Sequence, residues 1–291
     1  MTSIGFVGLG AMGSRIAARL LNAGHELYGT NRTKSRAEAL IEHGLEWRDT
    51  PREVAAAADV VFSMVTDDTA LEAITSGPDG ILAGLGAGSV YVDMSTISPR
   101  TSREVAEQVR STGAEMLDAP VSGSIPQAES GTLAIMVGGD AQAFAKVEPL
   151  LGALGQTVTR IGSNGRGLVL KLAINISLAV QVLAFSEGLL LAERDGVEPQ
   201  LAAEVMAATP IGSPMLKARV PLLLDLPEQA WFDVAMMQKD IRLALEAADE
   251  LAIPLPSAAV ADEMLTKANE LGYAHRDLAA LHEVLAESPV A

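Results

Sequence analysis

The chain contains no cysteine, which excludes a disulfide, a thiolate nucleophile and a cysteine-built metal site. Histidine is also scarce: His25, His43, His275 and His282 are scattered, and no metal cluster is expected from them. Positive charge is in short supply. A net charge of −16 argues against a polyanionic nucleic acid partner. It leaves room for a small anionic ligand on a local basic patch. No basic region precedes the apolar run in MTSIGFVGLG, so no signal peptide is expected. The one candidate membrane span, Leu168 to Leu191, is interrupted by Lys171, Asn175, Gln181 and Glu187 and is rejected on that ground. What remains is 291 residues, 49% of them hydrophobic, without internal repeats. That is enough for two soluble domains with full cores, expected in the cytoplasm.

The first motif follows a short apolar strand, Ile4 to Val7. Gly8-Leu-Gly10-Ala11-Met12-Gly13 stands between that strand and a helical run, Ser14 to Asn22, the context in which GxGxxG carries meaning. Gly8 permits the tight turn, Gly10 lets backbone approach a pyrophosphate, and Gly13 lets helix pack on strand. A second strand, near His25 to Thr30, ends in Asn31-Arg32-Thr33-Lys34-Ser35-Arg36. No carboxylate is present there to select NAD, and Arg32 with Thr33 suits a 2′-phosphate, so NADP is favoured over NAD. Strands are expected at Asp59–Met64, with Asp68 as the next N-cap, and at Val90–Asp93, Glu115–Asp118, Thr132–Val137 and Thr157–Ile161.

After Ile161 the strand pattern stops. Asn164 to Gly196 predicts one long helix, apolar nearly all round and therefore buried on most faces, closed by Gly196. Lys171 and Asn175 share one face of it. A buried ammonium is costly, so Lys171 is either a snorkelling side chain or a functional one. Helices follow near 199–208, 213–224, 232–251, 256–271 and 277–287. The reading is a doubly wound Rossmann-type α/β domain over 1–163, then an all-α domain over 164–291 that begins with the long helix.

Together these motifs resemble the β-hydroxyacid dehydrogenase family, which includes 3-hydroxyisobutyrate dehydrogenase and tartronate semialdehyde reductase. The resemblance spans essentially the whole chain. It rests on Gly5-Phe-Val-Gly8-Leu-Gly10-Ala-Met-Gly13, on Asp118-Ala-Pro-Val-Ser122-Gly123-Ser124 with Gly131-Thr132-Leu133, on Gly165-Arg-Gly167 through Lys171 and Asn175, and on Phe232 through Lys239-Asp240. Ser124 stands where the family often has a second glycine, and Ile174 where it often has a second asparagine.

The resemblance implies hydride transfer between a nicotinamide cofactor and a short 3-hydroxy acid or its semialdehyde. Lys171 would be the general acid/base, its pKa lowered towards neutrality, with Asn175 supporting it. Ser122 and the backbone around Gly123 and Ser124 would hold the substrate carboxylate. Lys239 would contribute from the helical domain, and Asp240 would pair with a basic group or cap structure. Met64, Val65 and Thr96 would line the nicotinamide side, while Trp231 and Phe232 are read as core or as pocket wall. No metal is implied. A homodimer or homotetramer packed through the long helix is expected. The alternatives are an imine reductase of the same two-domain plan and a non-catalytic NADP-binding module.

Overall fold

Alternation along the strands explains the first unit of the fold. In the computed structural model, which describes residues 2–287, the chain divides into two compact units, Met1–Lys171 and Leu172–Ala291. In the first, β1 (Ser3–Val7), β2 (Glu26–Thr30), β3 (Glu46–Trp47), β4 (Val60–Ser63), β5 (Val90–Asp93) and β6 (Glu115–Asp118) pair in parallel in the order β3-β2-β1-β4-β5-β6. Ile4, Phe6, Val60, Phe62, Val90, Val92 and Leu117 face one core. Val7, Val61, Tyr91 and Met116 face another. A sheet covered on both sides must bury residues of both parities.

The first core is closed by α1 (Ala11–Asn22), through Ile16, Ala17 and Leu20. Leu40 of α2 (Glu38–Glu42) enters the same core, and the second face is covered by helices that include α3 to α6, namely Pro51–Ala56, Asp68–Thr75, Ile81–Gly84 and Pro99–Ser111; Val54, Leu71, Ile81 and Val105 reach its core. Beyond β6 the sheet changes direction. β7 (Val121–Ser122) is followed by α7 (Ile125–Ser130) and β8 (Leu133–Gly139), and β8 runs antiparallel to both β6 and β7. After α8 (Ala141–Gly152), β9 (Gly155–Gly162) pairs with β8 in parallel.

The N-cap expected at Asp68 is at Asp67, whose carboxylate accepts the Ala70 N–H at 2.8 Å. Asp68 is the first helical residue and instead accepts the Ser98 N–H at 2.9 Å. Helix α9 (Arg166–Arg194) begins two residues later than expected, and Gly165 and Gly196 flank it with φ of +84° and +96°. Its length and apolarity would suffice to cross a membrane. Buried Lys171, Asn175 and Ser186 mark it as a core helix. It is less covered than expected, since Leu170, Ala173, Ser177, Ala184 and Leu191 lie along an exposed stripe.

In the second unit, Ala179, Val182, Phe185 and Leu189 of α9 enter a core shared with α10 (Pro199–Ala208), α11 (Pro214–Leu224), α12 (Val234–Glu250), α13 (Pro256–Glu270) and α14 (Leu281–Ala286). Pro199, Pro214 and Pro256 each open a helix, where a missing N–H is no loss.

Candidate active site

The glycine-rich loop is shaped by close approach. Gly8 has φ of +95°, and a Cβ there would strike the Met64 carbonyl oxygen. A Cβ on Gly13 would strike the Gly8 carbonyl oxygen, so the first turn of α1 sits directly on β1. Gly10 differs, because a Cβ there would meet nothing within 4 Å. No side chain caps α1. Its first N–H groups, on Ala11, Met12 and Gly13, have no acceptor within the helix and stand at the positive end of the helix dipole, beside the open space at Gly10. This donor set of backbone amides fits a pyrophosphate, and the residues present suit a dinucleotide.

Asn31, expected among the cofactor-binding residues, braces the loop from the end of β2. Its Oδ1 accepts the Leu9 N–H at 3.1 Å and its Nδ2 donates to the Thr33 carbonyl at 3.0 Å, so the side chain ties two loops together. Arg32 and Thr33 are exposed beyond it. Lys34 lies over the Trp47 ring at 5.0 Å.

Next to this loop, Met64 and Val65 follow β4, and a chain of buried polar groups lies below them. Ser63 Oγ donates to Asp93 Oδ1 at 2.6 Å and contacts the Tyr91 hydroxyl at 2.7 Å. Ser95 Oγ donates to the same carboxylate oxygen at 2.7 Å and accepts the Val65 N–H at 2.9 Å. Asp93 thus holds the ends of β4 and β5 and the residue before Thr96. Burial pushes its carboxyl up to about 6, against the opposing pull of the serine hydrogen bonds. Nothing in the sequence assigned Asp93 this task. The available signal was an acidic residue ending an apolar strand.

Ser122 and Ser124 are half-buried and Gly123 is exposed, with φ of +128°. The Ser124 N–H donates to Gln127 Oε1 at 2.9 Å. Asp118, four residues before Ser122, is fully buried, and both its oxygens accept backbone N–H groups from the start of α9. Burial raises its pKa, with the Gly165 and Leu168 N–H groups opposing the shift. Lys171 lies one turn further along α9 and is buried.

In the second unit, Asn175 is 1% exposed and donates through Nδ2 to Asp240 Oδ2 at 2.5 Å. Its Oδ1 has no partner. Asp240 Oδ1 pairs with Lys239 Nζ at 2.8 Å, as the pairing expected for it requires. Phe232 packs against the helical core and Trp231 is exposed, which favours the packing role for Phe232. Among the described residues no group of His, Asp and Glu could hold a metal ion.

Comparison with known proteins agrees with this arrangement. Residues 3–162 match the model for the NAD binding domain of 6-phosphogluconate dehydrogenase. Residues 165–285 match that for the NAD-binding domain of NADP-dependent 3-hydroxyisobutyrate dehydrogenase. The chain is 36% identical to 2-hydroxy-3-oxopropionate reductase of Escherichia coli, over 97% of its length and 96% of the relative's. It superposes on a 3-hydroxyisobutyrate dehydrogenase of Mycobacterium tuberculosis with a TM-score of 0.87 at 30% identity, covering 98% and 99% of the two chains. An imine reductase from Myxococcus stipitatus aligns over 98% and 99% of the two chains at TM-score 0.67 and 20% identity, a likeness of fold alone. The chain belongs to the β-hydroxyacid dehydrogenase family and is an NAD(P)-dependent oxidoreductase acting on a CH–OH group.

Proposed function

We propose that the protein is an NADP-dependent dehydrogenase that interconverts a short 3-hydroxy acid, of the 3-hydroxyisobutyrate kind, and its semialdehyde. The observation that carries this reading is a buried ammonium, Lys171, one helical turn from Asn175, whose Oδ1 is buried without a partner. A buried acceptor left unused on the helix face that carries Lys171 is costly unless a ligand engages it.

When bound, NADP(H) supplies or accepts the hydride. Gly8, Gly10, Ala11, Met12 and Gly13 would hold its pyrophosphate, Arg32 and Thr33 its 2′-phosphate, and Met64, Val65 and Thr96 its nicotinamide side. In reduction, negative charge develops on the carbonyl oxygen. The Lys171 Nζ stabilises that charge and transfers a proton to it; in oxidation it accepts the hydroxyl proton. Asp240 fixes the Asn175 amide so that Oδ1 is left to accept from the substrate hydroxyl or from the lysine. The Ser122 hydroxyl and the Gly123 amide hold the carboxylate, with Ser124 beside them. Lys239, its charge balanced by Asp240, contributes to substrate and cofactor binding. The exposed stripe on α9 supports self-association as a dimer or tetramer, and a monomeric mass in light scattering would remove that part.

Initial rates of oxidation of 3-hydroxyisobutyrate, 4-hydroxybutyrate and glycerate, each with NADP and NAD, test the reading. The expected result is one preferred acid, faster turnover with NADP, and a kcat lowered at least about 100-fold in Lys171→Ala. Turnover surviving in that variant removes Lys171 from its role. Oxidation of NADPH by a cyclic imine, with no hydroxy acid used, moves the protein to imine reduction.

A further inference from the structure

The strand that leads to Ser122 and the helix that carries Lys171 are stitched together by one side chain. β6 ends at Asp118, and Ala119-Pro120-Val121 connects it to Ser122. Asp118 Oδ1 accepts the Gly165 N–H at 2.7 Å, and Oδ2 accepts the Leu168 N–H at 3.1 Å. The first-turn amides of a helix have no acceptor within it, and a carboxylate placed there satisfies them and complements the dipole. Two glycines leave room for the group. A Cβ on Gly138 would lie 2.5 Å from Asp118 Oδ1, and one on Gly167 would lie 2.8 Å from Oδ2. A second tie lies alongside, where Asn164 Nδ2 donates to the Met116 carbonyl at 2.7 Å.

We propose that Asp118 is a positioning residue for the reaction: by gripping the first turn of α9 it fixes Lys171, three residues beyond Leu168, relative to the segment bearing Ser122. The proposal rests on the reading of Lys171 as general acid/base. Proton transfer demands placement to a fraction of an ångström, and displacement of about 1 Å can cost about 100-fold in rate. Asp118 reaches this outcome through backbone and is not itself a catalytic residue. An asparagine in its place keeps one acceptor but sets an NH2 group against the second helix N–H. That exchange should shift the helix start without emptying the cofactor site.

The test compares the wild-type protein with Asp118→Asn, Gly167→Ala, Lys171→Ala and the double variant Asp118→Asn/Lys171→Ala. Rates are normalised to the sites that bind NADPH in a fluorescence titration, so that misfolded protein is not counted. The expected result for Asp118→Asn is a kcat lowered about 10- to 100-fold with NADPH affinity and the KM for hydroxy acid within about twofold. In the Lys171→Ala background the same change should lower kcat no further. Gly167→Ala, which presses the helix start away from both the Met136 carbonyl and the Asp118 carboxylate while keeping the charge, should give a similar kcat loss and carries the test if Asp118→Asn yields no binding-competent protein. Wild-type kcat in Asp118→Asn or in Gly167→Ala overturns the positioning role alone. So does a loss that multiplies in full with that of Lys171→Ala. Wild-type kcat in Lys171→Ala removes the acid/base reading, and the proposal with it.

Discussion

Asp93 couples the stability of the fold to pH. It is fully buried, two serine hydroxyls and the Ser95 N–H donate to one of its oxygens, and the other oxygen has no partner. Burial is the largest influence and raises its pKa from 3.8 to about 6, and neighbouring Asp118 adds to the rise. The folded state therefore holds a proton that the unfolded state has released between those values. Stability from this group is full below pH 4 and is lost as pH rises through 6, by about 3 kcal/mol. Asp93→Asn removes this dependence. Thermal melts of variant and wild type at pH 4.5 and pH 8 should show the variant gaining ground at the higher pH; an equal difference at both would refute it. The acidic end of β5 could be read from the sequence, but its consequence could not. Burial, and the convergence of Ser63 and Ser95 on one oxygen, come from strands 30 residues apart in the chain joining side by side.

At the scale of elements, the helical unit depends on a second buried charge. Asp277 accepts from Arg219 of α11 at 2.8 Å, and both side chains are buried. The same carboxylate accepts the Trp231, Phe232 and Ala279 N–H groups, at 2.8, 3.2 and 3.1 Å. It ties the loop before α12 to the turn before α14. Burial lowers the pKa of Arg219, and Asp277 opposes that shift. Arg219→Met leaves a carboxylate that still has three amide donors, whereas Asp277→Leu strands three amides and a guanidinium. Urea unfolding should therefore show a loss of about 3 kcal/mol for Arg219→Met and a larger one for Asp277→Leu. The reverse order would show that Asp277 is not the hub. The helices themselves were readable from proline punctuation and apolar spacing. β3 was not, because two residues, Glu46 and Trp47, carry no period. The antiparallel pairing of β8 and the Asp118 clamp were equally hidden, since each depends on which strand lies alongside and leaves no mark on local sequence.

For the molecule as a whole, a charge of −16 opposes the approach of any anion. A cofactor bearing an extra phosphate needs a local exception. The end of β2 supplies one in exposed Arg32, with Lys34 and Arg36 close by in sequence and Asn31 turned inward to brace the glycine loop. The preference proposed for NADP then resides in a few cations on a repelling surface. Arg32→Ala should raise the KM for NADP about tenfold or more, the worth of one charge-assisted hydrogen bond, and leave the KM for NAD nearly unchanged. Added salt should act in the same direction on the wild type, weakening NADP more than NAD, because an exposed guanidinium is screened within about 10 Å at 0.1 M ionic strength. In Arg32→Ala that difference in salt response should shrink. Steady-state KM values for the two cofactors at low and high salt measure both effects. If NAD and NADP weaken equally in the variant, Arg32 belongs to no phosphate site, and the cofactor preference must lie elsewhere in the first unit.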